Sequence, residues 1–290
     1  MRDSNLRILA AFSENTIAHQ LLLIYESNDM TEAKMVQVPS LRGKVSEAEW
    51  KARVDLAACY RLFDIYGLSD LTANHISARV PGENAYLINP YGMLYEEITA
   101  SCLIKVDVSG EVLYSPDFGE LNYGLNRAGF VIHGAIHGAR EDVGCVAHTH
   151  TVAGMAVSAL AEGVLPLNQT AMRYVTTAYH DFEGIVLDEK ERASLLRDMG
   201  QGSSLVLRNH GLLVATGTVA EAFNAMQRFE QICRAQLAAL ACGRELTQVP
   251  AEIVEETRRN YLPGTRRPFG VMEWPAMLRK LNRMDASYAT

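Results

Sequence analysis

The segment Gly144-Cys145-Val146-Ala147-His148-Thr149-His150-Thr151 constrains this chain most, because an apolar run that reads as a buried strand ends in two histidines. Side chains at i and i+2 of a strand share a face, so the imidazoles of His148 and His150 stand side by side. Two such rings can grip one metal ion, and a third histidine from another segment would leave room for substrate. The best candidate for that third ligand is His210, in Val206-Leu207-Arg208-Asn209-His210-Gly211-Leu212-Leu213. A histidine pair is also an ordinary feature of a half-buried strand, so spacing alone does not decide the matter.

Composition narrows the setting. With 290 residues, 48% hydrophobic and 21% charged, the chain can build one sizeable core. A net charge of -7 without clustered Lys and Arg excludes a phosphate-tracking, nucleic-acid-binding surface. Cys59, Cys102, Cys145, Cys233 and Cys242 are odd in number and mostly inside apolar runs, which reads as reduced core cysteines of a cytoplasmic protein. No stretch reaches the roughly 18 to 20 apolar residues of a membrane span, and the start lacks the features of a secretory signal. Residues 1–45 are expected to be an extension, of which 1–29 read as an extra helix or an upstream start.

Local signals predict the element order. Ser46-Glu47-Ala48-Glu49 fits a capping box, with Ser46 as N-cap and Glu49 reaching back, opening a helix to about Tyr66. Lys51, Asp55 and Arg61 should point from it toward solvent. Leu71–Val80 and Ala85–Asn89 read as a hairpin, with Asn74 on its first strand, and Leu103–Val108 with Glu111–Tyr114 as a second. A helix over Leu125–Arg140 carries His133 and His137, an i, i+4 pair better explained by packing than by metal. A short helix over Val152–Leu160 points its positive end at the histidine pair, which favours an anionic substrate. Tyr174–Tyr179 looks strand-like, and a helix opening at Asp188-Glu189-Lys190-Glu191 ends near Gly200. Ser204–Thr216 forms a hairpin holding His210, then Thr218 and Glu221 cap a helix to about Ala241 that Gly243 stops. Strands alternating with helices indicate an α/β layered domain over 46–245. A tail over 246–290, with few helical repeats before Pro275, is left to pack on the domain or on a neighbour.

Five pieces occur in one order: Asn74-His75-Ile76-Ser77-Ala78-Arg79, Asn89-Pro90-Tyr91-Gly92, Ile98-Thr99-Ala100-Ser101, His148-Thr149-His150 and Arg208-Asn209-His210-Gly211. Together they make the chain resemble the class II aldolase/adducin family. The resemblance implies a three-layer α/β/α sandwich with a mostly antiparallel central sheet, a homotetramer, and a metal site near a subunit interface. It implies His148, His150 and His210 as ligands of a divalent metal, usually zinc, with iron or manganese as alternatives. It also implies substrate contacts from Asn74, Tyr91 and Gly92, and metal stabilisation of an enediolate.

The resemblance breaks at one place. A glutamate nineteen positions before the first metal histidine normally handles the proton in this family, and here that position is Gly129. The nearest acids are Asp117, Glu120 and Glu141, of which Glu120 is taken as its replacement, and Tyr261 from the tail is a second candidate for the catalytic set. Ala73, Tyr91 and Arg127 stand where sugar-phosphate enzymes of the family carry glycine or hydroxyl residues, so a carboxylated substrate is expected, with Arg127 as its fork. Three functions follow, in order. They are a metal-dependent aldolase or decarboxylase acting on a small hydroxy- or oxo-acid, a non-heme iron oxygenase acting on an aromatic 2-oxo acid, and a non-catalytic adducin-like module.

Overall fold

Eight strands lie in one sheet, in the order β4-β3-β2-β1-β5-β8-β7-β6. They are β1 His75–Arg79, β2 Ala85–Ile88, β3 Ile104–Asp107, β4 Val112–Tyr114, β5 Cys145–Thr149, β6 Ala178–His180, β7 Ser204–Leu207 and β8 Gly211–Thr216. Every neighbouring pair is antiparallel except β6 with β7. The helices are α1 Glu47–Ile65, α2 Arg127–Ala139, α3 Val152–Ser158, α4 Lys190–Met199, α5 Val219–Ala241, α6 Ala251–Arg259 and α7 Glu273–Met284. The computed structural model describes residues 38–118, 124–184, 190–262, 264–265 and 269–290, with backbone alone at Arg127, Ala128, Lys190 and Glu191. The chain divides between residues 37 and 38, and 38–290 form one unit. The expected extension therefore lies mainly outside the described residues.

Alternation along the strands sorts the side chains into two layers. Cys145 and Ala147 of β5 and Ile76 and Ala78 of β1 face a core built from α1, α3 and α5. Val146 of β5, with Leu213 of β8, faces the opposite way, onto Val131, Ile132 and Ile136 of α2 and Leu195 and Met199 of α4. The result is the three-layer sandwich with a mostly antiparallel sheet. His75, Ser77 and His148 share the parity of the α2 side, and β1–β5 register sets His75 opposite His148.

Several local expectations are corrected. Ser46 Oγ accepts the Glu49 amide at 3.1 Å, but Glu49 does not reach back: its carboxylate accepts from Arg53 Nε and Lys105 Nζ, both at 2.8 Å. A buried guanidinium outcompetes a backbone amide for a buried carboxylate. Arg61 does not point to solvent, since Nε donates to the Ile98 carbonyl at 2.9 Å. The first hairpin begins at His75 rather than Leu71, leaving Asn74 just before the strand. Tyr174–Tyr179 is not a strand throughout: a 3-10 turn spans Ala171–Tyr174 and β6 covers only Ala178–His180.

The tail is helical, in α6 and α7, and lies on its own domain. Trp274 Nε1 donates to Asp55 Oδ1 at 3.1 Å while its ring stands 6.0 Å from Phe223. The Ala100 and Ser101 amides donate to the carbonyls of Tyr288 and Thr290. Burial of Trp274 and Tyr288 holds the tail, at about 1.5–3 kcal/mol per large side chain. The Arg61–Asp285 pair contributes less, because its carboxylate is 52% exposed and such pairs are worth about 0–1 kcal/mol.

Candidate metal centre

Two strand ends and one tight turn build the site. His148 sits near the end of β5 and His150 just beyond it, while β8 runs back beside β5 with Leu213 opposite His148. His210 is carried by the turn from β7 to β8. That turn needs Asn209 in the left-handed region at φ 56°, which asparagine tolerates better than most residues. It also needs Gly211, since a Cβ there would collide with the Thr149 carbonyl. The fold thereby brings together two imidazoles from one segment and one from a segment sixty residues later.

Their Nε2 atoms converge. His148 lies 2.8 Å from His150 and 3.3 Å from His210, and His150 lies 2.9 Å from His210. Such distances suggest hydrogen bonds, but the other ring nitrogens decide otherwise. His148 Nδ1–H donates to the Leu212 carbonyl at 2.9 Å, and His150 Nδ1 faces the Asp70 carboxylate at 3.1 Å. With the proton on Nδ1, both Nε2 atoms carry bare lone pairs aimed at one another. Two acceptors at 2.8 Å repel unless a cation stands between them. Tetrahedral zinc, bound at about 2.0–2.1 Å, separates its nitrogens by about 3.3 Å, so a slight opening of the rings suits it. The donor set therefore fits a divalent metal. Among the described residues, these three are the His, Cys, Asp and Glu group whose ligand atoms come together in this way.

Electrostatics favours the ligand form. Burial, with the neighbouring His150 and His210 rings, holds the His148 imidazole well below its ordinary pKa. Burial pushes His210 down to about 4, with His150 adding to the effect. Neutral imidazole is the form that binds metal.

Asn74 is buried next to this group, with Nδ2 3.4 Å from the His148 carbonyl, and its Oδ1 has no hydrogen-bond partner among the described residues. Tyr91 and Gly92 follow β2. Because Ser77 pairs with Ile88, the chain leaves β2 at the sheet end where His75 and His148 lie. Tyr91 is exposed, its amide donating to the Gly124 carbonyl, and Gly92 adopts φ 93°. Arg127 opens α2, but its side chain lies outside the described residues, as does Glu120. Tyr261 is not gathered in. It lines a cavity with Thr216 and Gly217, at the end of β8 remote from His210, its ring tilted 5.4 Å from that of Phe269. The tail folds onto the far side of its own domain, which separates Tyr261 from the three histidines of the same chain.

Two participants escape a sequence reading. Asp70 orients His150, next to Leu71, whose φ of 47° is unusual for a leucine. His75 is the other: its ring lies 5.3 Å from that of His148.

The sequence profile of the Class II Aldolase and Adducin N-terminal domain matches residues 54–237. The chain belongs to the class II aldolase and adducin family. A solved aldolase II superfamily protein from Pseudomonas syringae is 41% identical, with a TM-score of 0.78 over 87% of this chain and 100% of that one. The L-fuculose 1-phosphate aldolase of Glaciozyma antarctica is 25% identical, with a TM-score of 0.72 over 88% and 97%. Alpha-adducin of Rattus norvegicus is 42% identical over 88% of this chain but only 37% of its own length. Members of this family thus include both an enzyme and a much longer protein that this chain matches in part. No helix among the described residues is long and apolar enough to cross a membrane.

Proposed function

We propose that this chain is a divalent-metal-dependent carbon-carbon lyase, an aldolase or decarboxylase acting on a small anionic hydroxy- or oxo-acid, with zinc as the ion. The observation that carries the reading is the opposed lone pairs of His148 and His150 at 2.8 Å. A protein without metal gains nothing from that arrangement, which leaves a buried acceptor and a half-buried one facing one another. Bound there, the ion would supply the positive charge that stabilises negative charge developing on substrate oxygens.

The chain's own groups do the rest. Three neutral ligands leave the ion's charge unreduced, unlike a set containing carboxylates. Asp70 and the Leu212 carbonyl fix which nitrogens face the ion. Asn74 holds a buried amide beside the site and is the proposed partner of the substrate's anionic group. Tyr91, Gly92 and Arg127 are proposed to complete that pocket, Glu120 to handle a proton, and Tyr261 to act on a neighbouring subunit of a homotetramer.

A non-catalytic module is the second reading, supported by the likeness to alpha-adducin. Metal analysis of untagged protein followed by turnover assays separates them. The proposal expects zinc together with aldehyde or carbon dioxide release from a hydroxy- or oxo-acid, and manganese with the same products would keep the lyase and change only the ion. Iron with substrate-dependent oxygen uptake would move the assignment to an oxygenase, and metal-free, inert protein would favour the module.

A further inference from the structure

Gly129 lies against His75. A Cβ at position 129 would stand 2.6 Å from the ring's Cδ2 and 2.8 Å from Cγ, closer than real Cβ atoms come, and 3.0 Å from Nε2. The position where the family resemblance looks for a carboxylate is thus closed by an imidazole from β1, the same imidazole that lies beside His148.

His75 is held by a hydrogen-bonded series. Its Nδ1 is 2.7 Å from His133 Nε2, His133 Nδ1 is 2.5 Å from Ser77 Oγ, and Ser77 Oγ is 2.7 Å from His137 Nε2. All four side chains are buried. With neutral rings, each contact takes one proton, and Ser77 has one to give, so the three bonds run in the same sense. Running from His75 toward His137 they leave His75 Nε2 a bare acceptor. Reversed, they make it a donor. Packing alone would be met by hydrocarbon at lower desolvation cost, whereas this series fixes the orientation of one ring and ties the role of its free nitrogen to the sense in which the bonds run.

We propose that His75 and Gly129 form one exchanged pair. On this proposal the site presents an imidazole in place of the α2 carboxylate, and His75 is the side chain that hydrogen-bonds the substrate beside the metal. His133, Ser77 and His137 are positioning residues for it. The site then suits a substrate whose reacting oxygen is met by a neutral donor or acceptor rather than by a carboxylate. This rests on the metal centre proposed above.

The test uses full-length protein, stripped and reloaded with zinc, and glycolohydroxamate, a bidentate hydroxy-carbonyl analogue, as probe. His75→Ala should keep wild-type zinc content yet bind the probe roughly tenfold to a hundredfold more weakly, as expected for a lost hydrogen bond to a charged ligand. His75→Gln, which keeps an amide near the position of Nε2, should recover part of the loss and covers the case in which the alanine variant does not fold. Ser77→Ala, with His75 present but no longer fixed, should show a smaller loss. Gly129→Ala should lower the melting temperature, and His75→Ala with Gly129→Ala should melt no lower than His75→Ala alone. Unchanged probe affinity in both His75 variants, or zinc lost with His75, overturns the proposal. Wild-type protein that takes up no zinc overturns the metal reading instead.

Discussion

Two groups of histidines lie within one ring's reach of each other at one end of the sheet, and they are built on opposite plans. In His148, His150 and His210, three nitrogens crowd one point and their outer nitrogens are tied to Leu212 and Asp70. In His75, His133 and His137, donors and acceptors alternate through Ser77. Contact distances are much the same in both. What differs is whether a proton can occupy each contact: in the second group it can, and in the first the lone pairs call for a cation. Histidine clusters are told apart by their outer hydrogen bonds, not by their spacing.

The largest expected effect separates the groups by metal. His150→Ala removes the ligand common to the two closest approaches of the triad, and both bound zinc and any lyase turnover should fall to background, read by elemental analysis and product release. Ser77→Ala should leave zinc content unchanged. If Ser77→Ala instead strips the metal, the two groups are not distinct.

Acid comes next. Burial holds His75, His133 and His148 well below the ordinary value of 6.5, His210 at about 4 and His137 at about 3. These rings stay neutral in the folded chain while the unfolded chain takes up protons below about pH 6.5, so the unfolded state binds more protons there. Their contribution to stability is complete above that pH and is lost as pH falls toward the folded values. Each coupled ring adds a slope of up to about 1.4 kcal/mol per pH unit, which urea unfolding of metal-free protein between pH 7.5 and 4.5 would measure. A flat profile would mean that the rings are charged or exposed.

Ser77→Ala leaves two buried ring nitrogens without their partner, at about 1–3 kcal/mol each, so urea unfolding should show a loss of about 2–6 kcal/mol. Asp70→Asn should be milder. It keeps a side chain able to accept from His150 but removes the charge, and zinc affinity should fall about tenfold to a hundredfold, read by competition with a chelator. An unchanged affinity would show that Asp70 is a bystander.

How much of this was legible depended on whether the signal was local. The capping residues Ser46 and Thr218, the hairpins, and the His148-Thr149-His150 run announce themselves because neighbours in sequence set them. His210 was readable because Asn209 and Gly211 mark a tight turn between two apolar runs. Asp70 and the His75–His133 contact were not, since they join residues eighty and fifty-eight positions apart and neither spacing carries a period. The helices of the tail were faint for a related reason: α6 buries no residue and α7 only Trp274 and Leu281, so a narrow apolar stripe gave little to count. Tyr261 was assigned because its tail could reach a neighbouring subunit's site, and within its own subunit the path of that tail takes it to the other end of β8.

The central claim is that three imidazoles meet to hold a metal, and His210 is the ligand whose contribution only the fold supplies. Isothermal titration of zinc into metal-stripped wild-type protein and His210→Ala tests it most directly. One tight site per wild-type chain, weakened by orders of magnitude in the variant while the melting temperature of the stripped protein stays close to wild type, is the predicted result. Equal zinc binding by the two proteins, or none by either, would contradict it.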